Sequence, residues 1–397
     1  MNMVNFILII VVFTLTNSNI AVSGIVLSYT LPAIVFGLVA GAVVDRYNKK
    51  KILFLTNFLR GVLLLLLAVW DTNLVAIYTL SFFVFVGTQF FIPAETPMIP
   101  VLVSRDLLLS ANALFGIGIY GAVLVAYALS GPLLIWFGQR TAFLLLAAIF
   151  FFAALFVLFI RLPSVEAKGE KQSLLRSFPL RQEIKGAIQL MFKTKKIYHS
   201  LFLLALSQIL VLILAVIGPA YAKNILGISV NSFPLLFVTP AALGMVIGGI
   251  ALGNYAHRFS KEKSATIGVF LSGIAMLLLP YGSKVTSREI VHKLNIYLPN
   301  LLDINILHIM IVLAFILGFA NALVFVPSNT ILQEETTDDV RGKIYGGLNA
   351  LVGLLSLIPI IVVGTLADMF GVAKVITGIG VFILLIGFLR LFVRAKD

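Results

Sequence analysis

GLVAGAVVDRYNKKK, residues 37–51, is the stretch from which the rest of this chain is read. Gly37 and Gly41 stand four residues apart on one helical face, and small residues at that spacing let a membrane helix approach its neighbour closely. Asp45 and Arg46 follow one turn later, then Lys49, Lys50 and Lys51, so an apolar helix ends here in a basic turn. A basic loop obeying the charge bias of membrane proteins accounts for the lysines but not for the order Gly-x3-Asp-Arg.

Outward from this turn the chain is hydrophobic. Of its 397 residues 60% are apolar and 11% charged, a composition that no water-soluble surface accommodates. Runs such as LRGVLLLLLAVW (59–70) and AFLLLAAIFFFAALFVLFI (142–160) approach or reach the roughly 20 residues that cross a bilayer as a helix. Such spans must be helical, because backbone groups in lipid need partners within their own segment. The alternating stretches of a membrane barrel are not evident. Spans are expected at 3–16, 19–44, 52–70, 74–100, 113–136, 141–160, 198–222, 231–253, 264–282, 304–326, 344–366 and 373–391. The first, at 14 residues, covers only about 21 Å and is expected to be the outer part of a longer, truncated helix. MNMVNFILII lacks the basic start and cleavage site of a secretory signal.

Charge sets the expected orientation. With the N-terminus inside, the inner loops and tail hold 22 of the 29 Lys and Arg, the outer loops and helix ends hold 6, and Arg60 lies within a span. This bias places both termini in the cytoplasm of a multi-pass protein of the inner cell membrane. The net charge of +13 is thus a topology signal, reinforced by attraction to anionic lipids at the cytoplasmic face, and nucleic-acid binding is not expected. The largest polar interruption, 161–196, carries nine basic and three acidic residues. It divides the chain into a six-helix unit at 1–162, a linker at 163–197 and a second six-helix unit at 198–397. Part of the linker, 180–192, reads either as an amphipathic surface helix or as solvated chain.

The halves repeat one another. Gly37, Gly41, Asp45 and Arg46 recur 212 positions later as Gly249, Gly253, His257 and Arg258. Phe91-Ile92-Pro93-Ala94-Glu95-Thr96 recurs 234 later as Phe325-Val326-Pro327-Ser328-Asn329-Thr330, and Gly131 with Phe137-Gly138 recurs 233 later as Gly364 with Phe370-Gly371. Matching spans run in the same direction, as a parallel repeat requires.

The turn at 41–51 resembles the signature loop of the major facilitator superfamily. FFIPAETPMIPVLVSRDLLLSANAL and FVPSNTILQEETTDDVRGKIYGGLNALVGLLSLIPIIVVGTLADMFG further resemble its macrolide-efflux, siderophore-exporter and lysophospholipid-transporter branch. The resemblance implies an all-α membrane protein of major facilitator fold, two pseudo-symmetric six-helix bundles with 12 transmembrane helices. It also implies a cytoplasmic gate at Gly37, Gly41, Asp45, Arg46, Lys49 and Lys50, with Gly253, His257, Arg258, Arg341 and Gly342 of the second half. In that family the aspartate at the place of Asp45 faces the positive end of the eleventh helix. The fifth span matches the glycine-rich stretch of the family's drug antiporters more poorly, at Gly118, Gly131 and Pro132, with Tyr127 where a glycine is expected. It reads equally as a packing kink.

Ionisable groups inside spans are costly and draw attention. Glu95, just after Pro93, sits where loss of water on closure favours a protonated acid, so it is a candidate for proton coupling or a gate residue. Arg60 is expected to pair with Asp45 or Glu95, or to snorkel to the interface. The resemblance puts helices 1, 4, 7 and 10 around a central cavity, which nominates Gln89, Gln208 and Asn321 as substrate contacts. Tyr29, Tyr120 and Asn349 from helices 2, 5 and 11 join them. Each could instead be a helix-to-helix hydrogen bond. The chain has no cysteine, its four histidines are scattered, and no phosphate loop appears, so neither metal, cofactor nor ATP hydrolysis is expected. The expected function is alternating-access export of a small amphipathic molecule against protons, by a monomer. Lysophospholipid movement is the other transporter reading, and a membrane enzyme or sensor the different-class one.

Overall fold

The computed structural model describes residues 1–104, 107–160, 194–255, 260–283, 306–336 and 338–394. At Asp45, Arg46, Tyr120, Arg341 and Asn349 it describes the backbone alone, and His257, Arg258 and nearly all of the linker lie outside the described residues. Ten described helices are long and apolar enough to cross a membrane. One of them, Gly121–Phe159, is 39 residues long and broken at Gly138. Counting it as two passes and Asn2–Thr16 as a short one, the chain makes twelve.

In chain order these are α1 (Asn2–Thr16), α2 (Asn19–Arg46), α3 (Lys49–Val69), α4 (Leu74–Glu95), and α5 (108–137) and α6 (139–159), the two arms of Leu108–Phe159. The second half supplies α7 (Lys195–Tyr221), α8 (Thr239–Tyr255), α9 (Lys261–Leu278), α10 (Ile306–Glu334), α11 (Asp338–Phe370) and α12 (Val372–Arg394). The first six pack chiefly on one another, as do the last six, giving two bundles of the expected all-α fold.

Local chemistry sets the helix ends. Asn17 turns left-handed (φ 49°) and Ser18 caps α2, its hydroxyl accepting from the Ala21 amide at 3.3 Å. Asn48 caps α3 by accepting from Lys51 N at 3.2 Å. Lys50 then donates to the carbonyls of Leu158 and Ile160 at 2.8 and 2.7 Å, tying the basic turn to the end of α6. Gly138 and Gly371, partners in the sequence repeat, both take positive φ (74° and 85°), which a side chain would strain. They make the equivalent α5–α6 and α11–α12 corners, so the repeat is structural.

The break in the long helix lies at Gly138, in the gap expected between the spans 113–136 and 141–160, and Pro132 stands inside the first arm. The bounds of two later helices differ from those expected. Helix α10 continues through Pro327 to Glu334, and α11 begins at Asp338 instead of 344, because hydropathy marks where a helix leaves apolar surroundings and not where its hydrogen bonds end.

The core has an uneven shape. One large cluster of buried apolar residues runs through both bundles, from Ile7 and Ile25 to Ile217 and Ile360. Towards the end that carries Lys49–Lys51 and Lys261, the basic end, it separates. Val44, Leu53, Ala94, Met98 and Val157 form one cluster in the first bundle, and Ile197, Leu201, Leu332, Ile344 and Leu348 another in the second.

Candidate functional site

The bundles meet where α2 packs on α11 and α7, where α5 packs on residues 230–238 just before α8, and more lightly where α1 meets α7. The tightest contacts lie at the end opposite the lysines. A Cβ at Gly131 would stand 1.7 Å from the Asn231 carbonyl oxygen, and one at Gly364 would stand 2.2 Å from Ser23 Oγ. Ser23 donates to the Ile360 carbonyl at 2.8 Å, and Lys223 to Asn17 Oδ1 at 2.5 Å.

Asp368 anchors this end. Its carboxylate accepts from Ser18 Oγ at 2.6 Å, from Asn19 N and Nδ2 at 2.7 Å each, and from Ile20 N at 3.1 Å. An acid on the last turn of α11 therefore caps the amino end of α2, where free N–H groups and the helix dipole favour negative charge. Sequence reading passed over Asp368. Its signal was present, for Gly364-x3-Asp368 repeats the spacing of Gly41-x3-Asp45 at the other end of the partner helix.

At the basic end the described residues show no such contact. A Cβ at Gly41, Gly118, Gly121, Gly249 or Gly253 would meet no described atom within 4 Å. The ion pairs described there, Lys196–Glu335 at 2.9 Å and Lys261–Glu334, stay within the second bundle. Among the described residues, then, the tight contacts between the bundles lie at the end opposite the lysines and none is found at the basic end.

Between the ends, aromatic rings from four helices gather. Phe6 meets Tyr127 edge-on with centroids 4.9 Å apart, and Tyr29 tilts against Phe85 at 5.4 Å. Tyr127, standing where the family's glycine is expected, fills that place with an electron-rich ring. Asn5, one residue before Phe6, keeps a buried Oδ1 without a partner. Neither Asn5 nor Phe6 stands out in sequence, because a lone residue in an apolar helix has no pattern around it.

The nominated residues divide. Gln89 lies on α4 with Oε1 4.0 Å from where a Gly37 Cβ would be, and Gln208 is half-buried on α7. Asn321 accepts a hydrogen bond from Ser207 and lines a small space with Leu206, Val269 and Ile383, inside the second bundle. Its geometry is that of a helix-to-helix bond. The side chains of Asp45, Arg46, Tyr120, Arg341 and Asn349, the Gly342 surroundings, and all of His257 and Arg258 lie outside the described set.

Arg60 is 2% exposed and so does not snorkel. It donates to Asn57 Oδ1 at 3.3 Å and to the Gly87 carbonyl at 3.0 Å, and its guanidinium lies 4.6 Å from the Phe91 centroid and 5.5 Å from that of Phe150. It feels the Glu95 charge, but no ion pair within 4.0 Å joins them. The expected Arg60–Glu95 bridge is absent among the described residues because α4 presents Gly87 and Phe91 to the arginine and keeps Glu95 at its end. Arg60→Ala is expected to cost about 2–4 kcal/mol through vacated space and unpaired acceptors, and Arg60→Lys less, read as lowered melting temperatures of the solubilised protein.

Residues 1–292 match the family model described as Major Facilitator Superfamily. The chain is 24% identical over 391 residues to "Uncharacterized MFS-type transporter YfiS" of Bacillus subtilis (strain 168), covering 97% of this chain and 87% of that one. Among solved structures it is similar to the nucleoside transporter NupG, with TM-score 0.74, 12% identity, and coverage of 98% and 96% of the two chains. It is also similar to a bacterial homolog of the human lysosomal transporter Spinster, in an inward-facing and unoccupied conformation. There the TM-score is 0.72 and the identity 14%, with coverage of 100% and 94%.

Proposed function

The chain belongs to the Major Facilitator Superfamily, a family of membrane transporters, and on that premise we propose that it exports a small amphipathic molecule in exchange for protons. The observation that carries this reading is the asymmetry of the seams. Alternating access needs two bundles that close at one end while parting at the other, and Asp368 supplies a closure that can be made and broken without unfolding either bundle. We take the basic end as cytoplasmic from the lysine bias, so the conformation is open to the cytoplasm, ready to load cargo for export. The aromatic faces of Phe6, Tyr29, Phe85 and Tyr127 suit an apolar or cationic molecule. These features favour the macrolide-efflux and drug-exporting side of the resemblance.

Glu95 is the proposed proton carrier. It ends α4 half-buried, within reach of the Arg60 field, at the level where the bundles part. In proteoliposomes, an amphipathic cation added to the wild type is expected to provoke proton flux, and Glu95→Gln is expected to abolish it while leaving cation binding in place. Unchanged flux in Glu95→Gln would remove Glu95 from the coupling step.

A second cargo, lysophospholipid, has one observation in its favour, a groove of about 580 Å³ on the flank of the first bundle, between α2, α3 and α4. Flux of a fluorescent lysophospholipid in the same proteoliposomes, with none of the cation, would favour it.

A further inference from the structure

The groove lies away from the seams. Helices α2 and α3, joined through Tyr47 and Asn48, diverge as they leave the basic end, and α4 packs against both to form the floor. Its walls are apolar and its rim is exposed to the membrane, with Leu55, Leu59 and Phe83 each about half exposed. Two cations line it, Lys51 at the mouth and Arg60 on the floor, and no carboxylate is among the described lining residues.

Arg60 is the informative group. It is buried, it has no ion-pair partner among the described residues, and its Nε is buried without a hydrogen-bond acceptor. Holding a charge so far from water demands an anion or further acceptors. Lys51 and Arg60 are about 13 Å apart along α3, and side chains lean towards a helix's amino end, which brings the guanidinium closer to the mouth. Its bond to Asn57, one turn nearer that end, shows this lean. The groove volume lies within the range of small-molecule sites.

We propose that this groove holds one anionic phospholipid drawn from the leaflet at the basic end. The phosphate sits at the mouth against Lys51 and the Asn48 turn. An acyl chain runs along Leu55, Leu59 and Phe83, over the Arg60 side chain that floors the groove. The lipid's negative charge offsets that of Arg60 beneath the floor, and its chain wedges α2 from α3, at the helix that carries the gate loop. The site requires only that the chain spans a bilayer, and it stands whatever the cargo.

The test is native mass spectrometry of the delipidated full-length protein offered equal phosphatidylglycerol and phosphatidylcholine. One tightly held phosphatidylglycerol is expected, preferred about tenfold, the discrimination that two nearby cations confer. Leu59→Trp, which fills the groove without changing charge, and Lys51→Gln should each bring the two lipids towards parity. Lys263→Gln, an exposed basic-end cation in the other bundle, should not. Glycerol phosphate, lacking chains, should fail to displace the lipid. Equal retention of the two lipids by the wild type would overturn the proposal. An unaltered preference in Leu59→Trp, or displacement by glycerol phosphate, would overturn it as well. Since binding is read without transport, failure here leaves the export reading untouched.

Discussion

Asp368→Ala is expected to open the end of the transporter opposite the lysines. The variant removes a carboxylate that accepts four hydrogen bonds from the first residues of α2, two of them from backbone amides. Bonds to a charged acceptor and the helix-end field together are worth about 2–3 kcal/mol here, towards the low end because the seam's edge is wet. That shifts the balance between closed and open by about 30- to 150-fold. Because the chain has no cysteine, Ser23→Cys gives a single reporter inside the seam, where Ser23 is 1% exposed. Labelling of that thiol by a membrane-impermeant maleimide should rise steeply in Asp368→Ala and less in Asp368→Asn, which keeps an acceptor for Ser18 but loses the charge. Equal labelling with and without Asp368 would show that the carboxylate does not hold the seam.

Gly131→Ala is expected to act on the same closure more severely. The added carbon would stand 1.7 Å from the Asn231 carbonyl oxygen, a backbone atom that cannot swing aside as a side chain does. Overpacking of this kind costs up to about 3 kcal/mol or more, and here the strain is relieved by parting the bundles instead of unfolding them. Transport in proteoliposomes should fall by about 100-fold or more, the factor that such a bias imposes on a two-state cycle. The melting temperature should stay close to that of the wild type, and Ser23→Cys labelling should rise. Gly364→Ala, facing Ser23 Oγ at 2.2 Å and the Asn19 carbonyl at 2.9 Å, should behave alike with a smaller effect, since a hydroxyl can rotate away. Gly249→Ala meets no described atom within 4 Å and should leave the reporter protected. A Gly131→Ala protein that transports normally would mean that α5 and the turn at Asn231, before α8, never need to touch.

The two closing devices were unequally legible. Gly131 and Gly364 stand out through the repeat, yet as kink and packing residues. Their role as backbone contacts between bundles depends on what lies opposite, and Asn231 and Ser23 carry no mark in sequence. Asp368 has the same Gly-x3-Asp spacing as the gate loop, but no basic run follows it, so it reads as one more carboxylate near a helix end. Arg60 was legible as an anomaly; of its two expected partners, Glu95 makes no ion pair with it and the Asp45 side chain lies outside the described residues. Spacing along α3 sets its depth, while α4 decides that it meets Gly87 and Phe91 instead of Glu95. Asn321 is polar on an expected cavity helix, but rotation of α10 aims it at Ser207.

By itself the sequence determined that this chain crosses a membrane about twelve times in two related halves, because hydrophobic length, glycine spacing and repeat offsets are local quantities written along the chain. Lysine bias, equally local, supplied an orientation. Only the tertiary structure decided which end carries the tight contacts, which carboxylate makes them, and where a buried arginine keeps one N–H without an acceptor. Those depend on how helices distant in sequence are rotated and tilted against each other, set by the summed packing of many side chains. In the proposed alternating-access cycle the same sequence also supports the opposite tilt, so no single arrangement is encoded in its periodicity.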